Sequence, residues 1–338
     1  VAVAGLGGIG LMHARHVAET EGAELVAVAS AAPERAAQVA QQFGRGVAAC
    51  THAELPEADD VDAVVLCCRA REHVRYAVPL LEAGKHLLLE KPGATTLSDH
   101  DRLTAAAENA NGTLLQVAYM RRFDPAFLEA RRRVAAGDIG EPLLVLSASR
   151  DTDYPPDEDP ADTGGFLLDM AVHDYDIAGW MLGQRPVRVS ATRQGLVHPR
   201  LLRAGDLDNA SVTIEFDGGG IATTHISRTC SFGHDIRTEI VGSEGSVFVG
   251  NGAGGASGVS VLDARSAHQF PVDYQDRFRD AFRSEVAQFV ARCADPGRSP
   301  GEAATLQSDR QAVEIGVAAR ASAIQERPLE PGKDWPWP

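Results

Sequence analysis

"VAVAGLGGIGLMHARHV", Val1 to Val17, is the stretch on which the reading of the whole chain turns. A short apolar run, strand-like, breaks into glycines and then into a helical pattern. Gly5, Gly7 and Gly10 stand in the GxGxxG spacing. In a strand–turn–helix, the first glycine permits the tight turn and the second lets backbone approach a pyrophosphate. The third allows close packing of helix on strand. A helix that begins near Ile9, just after Gly8, turns its N-terminal amides toward the phosphates. The spacing alone is weak evidence and fits a bland glycine turn; its place between a strand and a helix is the confirming context for a dinucleotide site.

Working outward, "ELVAVASAAPERAAQVAQQF" (24–43) holds the second strand and its helix. About 20 residues past the glycines an Asp or Glu is expected, to bond the adenosine ribose hydroxyls. Ser30 occupies that place, followed by Ala31 and Ala32. A serine can bond a hydroxyl and has no charge to repel a 2′-phosphate. Arg35 and Arg69 are the cations within reach, with solvated surface arginines as the plainer reading. The loop relaxes the case for NAD without making one for NADP.

The first 120 residues continue in alternation. Strand-like segments at 1–4, 25–29, 61–67, 86–89 and 114–118 are separated by helical patterns at 9–20, 34–43, 72–83 and 98–109. Pro33 near a helix start, Gly44 and Gly84 after helix ends, and a Thr96/Asp99 capping box mark the boundaries. Such alternation predicts parallel strands with crossover helices. After Tyr119 the texture changes. A helix and a strand, "PLLVLSASR", lead into a polar loop and a helix over 165–182. Period-two strands follow at 187–194, 210–216, 221–228, 236–241 and 246–249, then helices at 279–293 and 303–324. "NGAGGASG" (251–258) reads as a hairpin tip rather than a phosphate cradle, because no helix follows it. The predicted architecture is α/β: a Rossmann NAD(P)-binding domain at 1–119, then an α+β domain at 120–338 with a large, mostly antiparallel open sheet. The C-terminal helix of that second domain can pack back on the first.

Composition excludes other classes. The net charge of −15, with 47 acidic against 32 basic residues, argues against a nucleic-acid partner. "RRRV" (131–134) is expected to be a solvated helix face. Apolar runs such as "VDAVVLCC" are far shorter than the about 18 residues of a membrane span, and no signal-peptide pattern precedes the opening strand. Five cysteines with no CxxC and no zinc spacing fit a reducing compartment, and the cytoplasm is the expected location.

Two constellations carry chemistry. Glu90 and Lys91, in "HLLLEKPGATT", stand at the carboxyl end of a parallel strand, where open α/β sheets bind ligands; Pro92 follows, as a candidate cis residue. In "GGFLLDMAVHDYDIAGWML" Asp169, His173 and Asp176 recur at helical spacing within about 60° of one face. The plain reading is a structural hydrogen-bond network. A metal site is not expected, because no further His or Cys stands at ligand spacing. The functional reading is a general base, an imidazole oriented by carboxylates.

"AGLGGIG", "EKP", "YMRRFDPAF" and "GGFLLDMAVHDYD", in that order and with "DRFRDAFRSEVAQFV" near the end, resemble the glucose-fructose oxidoreductase/inositol dehydrogenase/MocA family, and within it the inositol 2-dehydrogenases. The resemblance implies NAD- or NADP-dependent oxidation of a ring hydroxyl to a ketone. It implies a catalytic set of Lys91, Asp169 and His173, with His173 taking the proton, Lys91 stabilising the oxygen and Asp169 orienting both lysine and substrate. Cofactor contacts are implied at Gly5, Gly7, Gly8, Ile9, Gly10, Ser30, Arg35, Arg69, His73, Glu90 and Lys91. Substrate contacts are implied at Met120, Arg121, Asp151, Asp176 and His234. A homo-oligomer, tetramer or dimer, is a further implication. The chain departs from relatives at His234, where many carry tyrosine, at Met170, where some carry threonine, and at Ser30. The alternatives are a dehydrogenase or reductase of another sugar (anhydrosugar, aldose or ketosugar) and a non-catalytic dinucleotide sensor on the same fold.

Overall fold

Small and β-branched residues at the start of the chain form β1 (Ala2–Ala4), and the glycine turn leads into α1 (Gly8–Glu19). The computed structural model describes residues 1–152, 160–250 and 269–335, so the glycine-rich stretch at 251–258 lies outside the described residues. The alternation continues with β2 (Ala27–Ala29), α2 (Pro33–Phe43), β3 (Ala48–Cys50), β4 (Ala63–Leu66), α3 (His73–Glu82), β5 (His86–Glu90), α4 (Leu97–Asn109) and β6 (Leu115–Ala118). The strands pair in parallel in the order β3-β2-β1-β4-β5-β6, the dinucleotide-binding order. Period-two alternation sends Ala2, Ala4, Leu66 and Leu89 into the core with α3 and α4. It sends Val3, Val28, Val65 and Leu88 to the opposite face. Pro33 is the first residue of α2, and the Thr96 Oγ1 accepts from the Asp99 amide at 3.2 Å, as the capping pattern predicts. Strand β3 escapes the sequence reading: its three residues are exposed or half-buried at the sheet edge, so no apolar signal announces it.

The chain divides into two units, Val1–Phe123 with Asp280–Arg310, and Asp124–Arg279 with Gln311–Pro338. The second unit begins with α5 (Pro125–Ala135), whose N-cap Asp124 accepts from the Ala126 and Phe127 amides. It continues through β7 (Pro142–Arg150), α6 (Pro160–Thr163), α7 (Phe166–Asp169), α8 (Val172–Leu182), β8 (Pro186–Gln194), α9 (Pro199–Arg203), β9 (Asn209–Phe216), β10 (Ile221–Ser227), β11 (Asp235–Gly242), β12 (Ser246–Val249) and α10 (Tyr274–Arg277). Its strands lie in the order β12-β11-β7-β10-β9-β8, antiparallel except for β10 beside β7. Two helices follow, α11 (Arg279–Ala294) and α12 (Leu306–Gln325). Helix α11 belongs to the first unit, where Val286, Phe289 and Val290 share a core with Val3, Val28 and Val65. Burial of Phe289 alone is worth about 1.5–3 kcal/mol. Among the described residues no helix is long and apolar enough to cross a membrane.

One expectation is corrected. The helix predicted over 165–182 is two helices, broken at Met170 and Ala171. Both residues keep right-handed helical torsions, but the Asp174 amide bonds the Ala171 carbonyl three residues back, a tightened turn. Asp169 therefore ends α7 while His173 and Asp176 share α8, so the single helical face drawn through all three holds only for the last two.

Candidate active site

The first unit carries the nucleotide side. Gly5 has φ +91°, and a Cβ there would lie 2.5 Å from the Cys67–Cys68 peptide. At Gly10 a Cβ would come 1.7 Å from the Gly5 carbonyl oxygen, whereas at Gly7 it would meet nothing within 4 Å. No side chain caps the N-terminus of α1. The loop is thus closed where chain packs on chain and open at its middle glycine, beside uncapped amides, which is the form a pyrophosphate fits. Ser30 follows β2 directly; its amide bonds the Cys50 carbonyl, and its Oγ accepts from the Ala32 amide at 3.2 Å. The hydroxyl hydrogen is left to donate, to a ribose oxygen or a phosphate oxygen alike. Arg35 lies across the same loop, donating from Nε and Nη2 to the Leu6 carbonyl at 3.3 and 3.2 Å. Arg69 is exposed, one residue before the 3₁₀ turn Ala70–Glu72.

Beneath this loop, Glu90 Oε1 accepts from His13 Nε2 at 2.8 Å, and Glu90 Oε2 accepts from the Lys91 amide at 3.1 Å. Lys91 then enters a cis peptide with Pro92. Met120 and Arg121 follow β6 in a buried 3₁₀ turn. Cys67 and Cys68 offer no nucleophile: burial pushes both thiols up, Cys68 to about 12. Glu285, on α11, is fully buried, and burial, reinforced by the charge of Glu90, pushes its carboxyl well above the ordinary 4.5. The Tyr119 amide offsets part of this. Folded protein then holds a proton that the unfolded chain releases, so stability falls as pH rises above about 4.5 toward the raised value. Glu285→Gln should raise the melting temperature at pH 8 by about 2–4 °C and change it little at pH 4.5. An equal shift at both pH values would show that the carboxyl is not the pH-sensitive group.

The second unit carries the histidine. His173 and Asp176 are 7% and 2% exposed on α8, and Asp169 is half-buried at the end of α7. The helices are pinned from several sides. The Tyr175 hydroxyl donates to the Leu167 carbonyl at 3.0 Å, and Ser149 Oγ on β7 donates to Asp174 Oδ1 at 2.9 Å. At the start of α7 the Phe166 amide donates to Asp206 Oδ1, and Arg228 pairs with Asp206 Oδ2, both at 2.9 Å. The Arg228 guanidinium lies 4.0 Å from the centre of the Phe166 ring. Arg320 donates to the Gly164 carbonyl at 3.1 Å. These are braces on the element that presents the histidine. At the end of β7, Asp151 Oδ1 lies 3.4 Å from Nδ1 of His234, whose ring is edge-on to Tyr274 and Phe278. The other ring nitrogen, Nε2, is buried and has no hydrogen-bond partner among the described residues.

Residues 1–119 match the model of an oxidoreductase family with an NAD-binding Rossmann fold, and residues 127–248 match the GFO/IDH/MocA C-terminal domain. The chain belongs to the GFO/IDH/MocA family. Among its relatives, the scyllo-inositol 2-dehydrogenase (NAD(+)) of Bacillus subtilis (strain 168) is 36% identical over 97% of this chain and 95% of its own length. The inositol 2-dehydrogenase of Rhizobium meliloti (strain 1021) is 34% identical, over 85% and 86%. The crystal structure of a myo-inositol dehydrogenase from Corynebacterium glutamicum ATCC 13032 superposes with a TM-score of 0.82 at 28% identity, covering 97% of each chain. In this GFO/IDH/MocA chain most of the sequence-predicted residues gather in five groups. Gly5, Gly7, Gly8, Ile9, Gly10, Ser30 and Arg35 surround or border the glycine loop, Glu90 and Lys91 stand at the end of β5, Met120 and Arg121 follow β6, Asp169, His173 and Asp176 lie on α7 and α8, and Asp151 sits with His234. His73, expected on the cofactor, is 1% exposed with both ring nitrogens on backbone carbonyls, of Pro92 and Cys68. The nearer of these carbonyls, that of Pro92, belongs to the turn that follows Lys91. His13 and Asp309 were missed by sequence reasoning. His13 stands one helical turn past the glycines, the one signal that could have drawn attention to it, and Asp309 resembles any acid in a helix's first turn.

Proposed function

We propose that this chain is an NAD(P)-dependent dehydrogenase that oxidises a ring hydroxyl of an inositol or similar cyclic polyol to a ketone. The observation that carries the reading is His173, buried beside Asp176 on a helix braced from several sides, in a chain of this oxidoreductase family. Nicotinamide, when bound, supplies the hydride acceptor. His173 takes the hydroxyl proton. Lys91 donates a hydrogen bond to the same oxygen and stabilises the charge that develops there. Asp169 orients the lysine and the substrate; Met120, Arg121, Asp151, Asp176 and His234 contact the polyol hydroxyls. Oxidation of myo-, scyllo- and D-chiro-inositol, followed at the reduced-nicotinamide absorbance with NAD⁺ and NADP⁺ in parallel, tests the reading. Turnover of linear polyols alone would sink it. The same chemistry on an anhydrosugar, aldose or ketosugar is the second reading, favoured by His234, whose buried Nε2, without a partner among the described residues, gives the substrate side a polar edge unlike a tyrosine.

Both cofactors are accepted in this proposal, because Ser30 neither binds two ribose hydroxyls as a carboxylate would nor repels a 2′-phosphate. Ser30→Asp should raise the NAD⁺ over NADP⁺ ratio of kcat/KM by at least about tenfold, a change of ~1.4 kcal/mol. Undiminished NADP⁺ use by that variant would show that residue 30 does not read the ribose.

A further inference from the structure

The peptide unit that follows the lysine turn is gripped at both of its polar ends. The Pro92 carbonyl accepts from His73 Nδ1 at 2.8 Å, and the Gly93 amide donates to Asp309 Oδ1 at 3.2 Å. These two side chains come from the start of α3 and the first turn of α12, both within the first unit. Asp309 is fully buried, and three donors converge on it. Oδ1 also accepts from the Tyr119 hydroxyl at 2.8 Å, and Oδ2 from His100 Nε2 at 3.0 Å. Contact with the turn is direct, since a Cβ at residue 93 would lie 2.2 Å from Asp309 Oδ2. The Cys68 carbonyl lies 3.0 Å from the other ring nitrogen of His73. A neutral imidazole has one N–H and serves one of these carbonyls at a time. Burial, the largest influence on the ring, pulls its pKa down and so favours that neutral form.

We infer that Asp309 and His73 are positioning residues for catalysis. Between them they fix the Pro92–Gly93 peptide and so set the direction in which Lys91 leaves β5. The inference rests on the reading that Lys91 works on the reacting oxygen. A carboxylate with three donors cannot shift without stranding at least one of them in the interior. The turn therefore has one low-energy seat, as a hydrogen-bond donor to a developing charge requires.

The test is a double-mutant cycle on the full-length enzyme with the best polyol substrate. Asp309→Ala is expected to lower kcat by about 10–100-fold, the scale of an ångström-sized misplacement, while KM for the polyol stays within about twofold. Asp309→Asn keeps an acceptor for Gly93 and Tyr119 and should recover most of the lost turnover. In a Lys91→Ala background Asp309→Ala should cost nothing further, because the residue acts through the lysine. His73→Phe fills similar volume, removes the N–H that Pro92 and Cys68 share, and should show the same dependence on Lys91 if the alanine variant does not fold. Losses that multiply with that of Lys91→Ala, or a kcat unchanged by both Asp309→Ala and His73→Phe, would overturn the inference while leaving the role of Lys91 intact. Unchanged turnover in Lys91→Ala itself would overturn the reading on which it rests.

Discussion

Replacing His173 with alanine is expected to lower turnover of the best polyol by about 10²–10⁴-fold, the usual worth of a positioned general base. Lys91→Ala is expected to lose about 10²–10³-fold, comparable to removing one donor to a developing oxyanion. The physical basis differs between the two. In the proposed mechanism, loss of His173 leaves the hydroxyl proton to depart to water as hydride leaves. Loss of Lys91 leaves the oxygen to carry its growing charge with one hydrogen bond fewer. Neither change should unfold the protein: the second unit keeps the Asp174–Ser149 and Asp206–Phe166 hydrogen bonds that seat α7 and α8. Steady-state rates at saturating cofactor, with circular dichroism to verify the fold, read both outcomes. Turnover preserved in either variant would remove that residue from the catalytic set, and preserved in both it would favour a non-catalytic dinucleotide-binding role.

The glycine loop supplies the second large contrast. Gly10→Ala would drive a methyl to within 1.7 Å of the Gly5 carbonyl oxygen, and both partners are backbone with no rotamer to yield. Loss of stability by at least about 1–3 kcal/mol should accompany loss of cofactor binding. Gly7→Ala meets nothing within 4 Å and sits at φ −76°, which any residue adopts. Its melting temperature should match that of the parent, while its affinity for reduced cofactor falls at least about tenfold, ~1.4 kcal/mol, because the methyl stands where the pyrophosphate must approach. Thermal unfolding and a fluorescence titration with NADH separate the two. Normal NADH binding by Gly7→Ala would mean that the phosphates do not lie on this glycine.

Much of this was legible in the residues because each signal had a local cause. The glycines of the first turn, Pro33 at the start of α2 and Thr96 at the start of α4 act through their own torsions and nearest amides, and sequence spacing records such effects. Lys91 and His173 draw attention for another reason: a charged or titratable group inside an apolar pattern stands out against its neighbours. Where the cause lies far along the chain, the reading fails. Strand β3 is held by β2 rather than by its own apolar residues. The break between α7 and α8 is a tightened turn at Met170 and Ala171 with no glycine or proline to mark it, so the sequence pattern runs on as if the helix were continuous. The carbonyl partners of His73 are invisible in its local pattern, and Asp309 reaches Gly93 across 216 residues of sequence.

The return of α11 to the first unit has a consequence for how the protein comes into being. The face of the parallel sheet that bears Val3, Val28 and Val65 is finished by Val286, Phe289 and Val290, which are made only after residues 124–279 have been translated. The nucleotide unit is therefore completed on the ribosome only after most of the second unit has been made, and until α11 arrives it carries an apolar face open to unwanted partners. A fragment cut at Phe123 would keep the glycine loop and every strand of its sheet and still lack the helix that keeps that face dry.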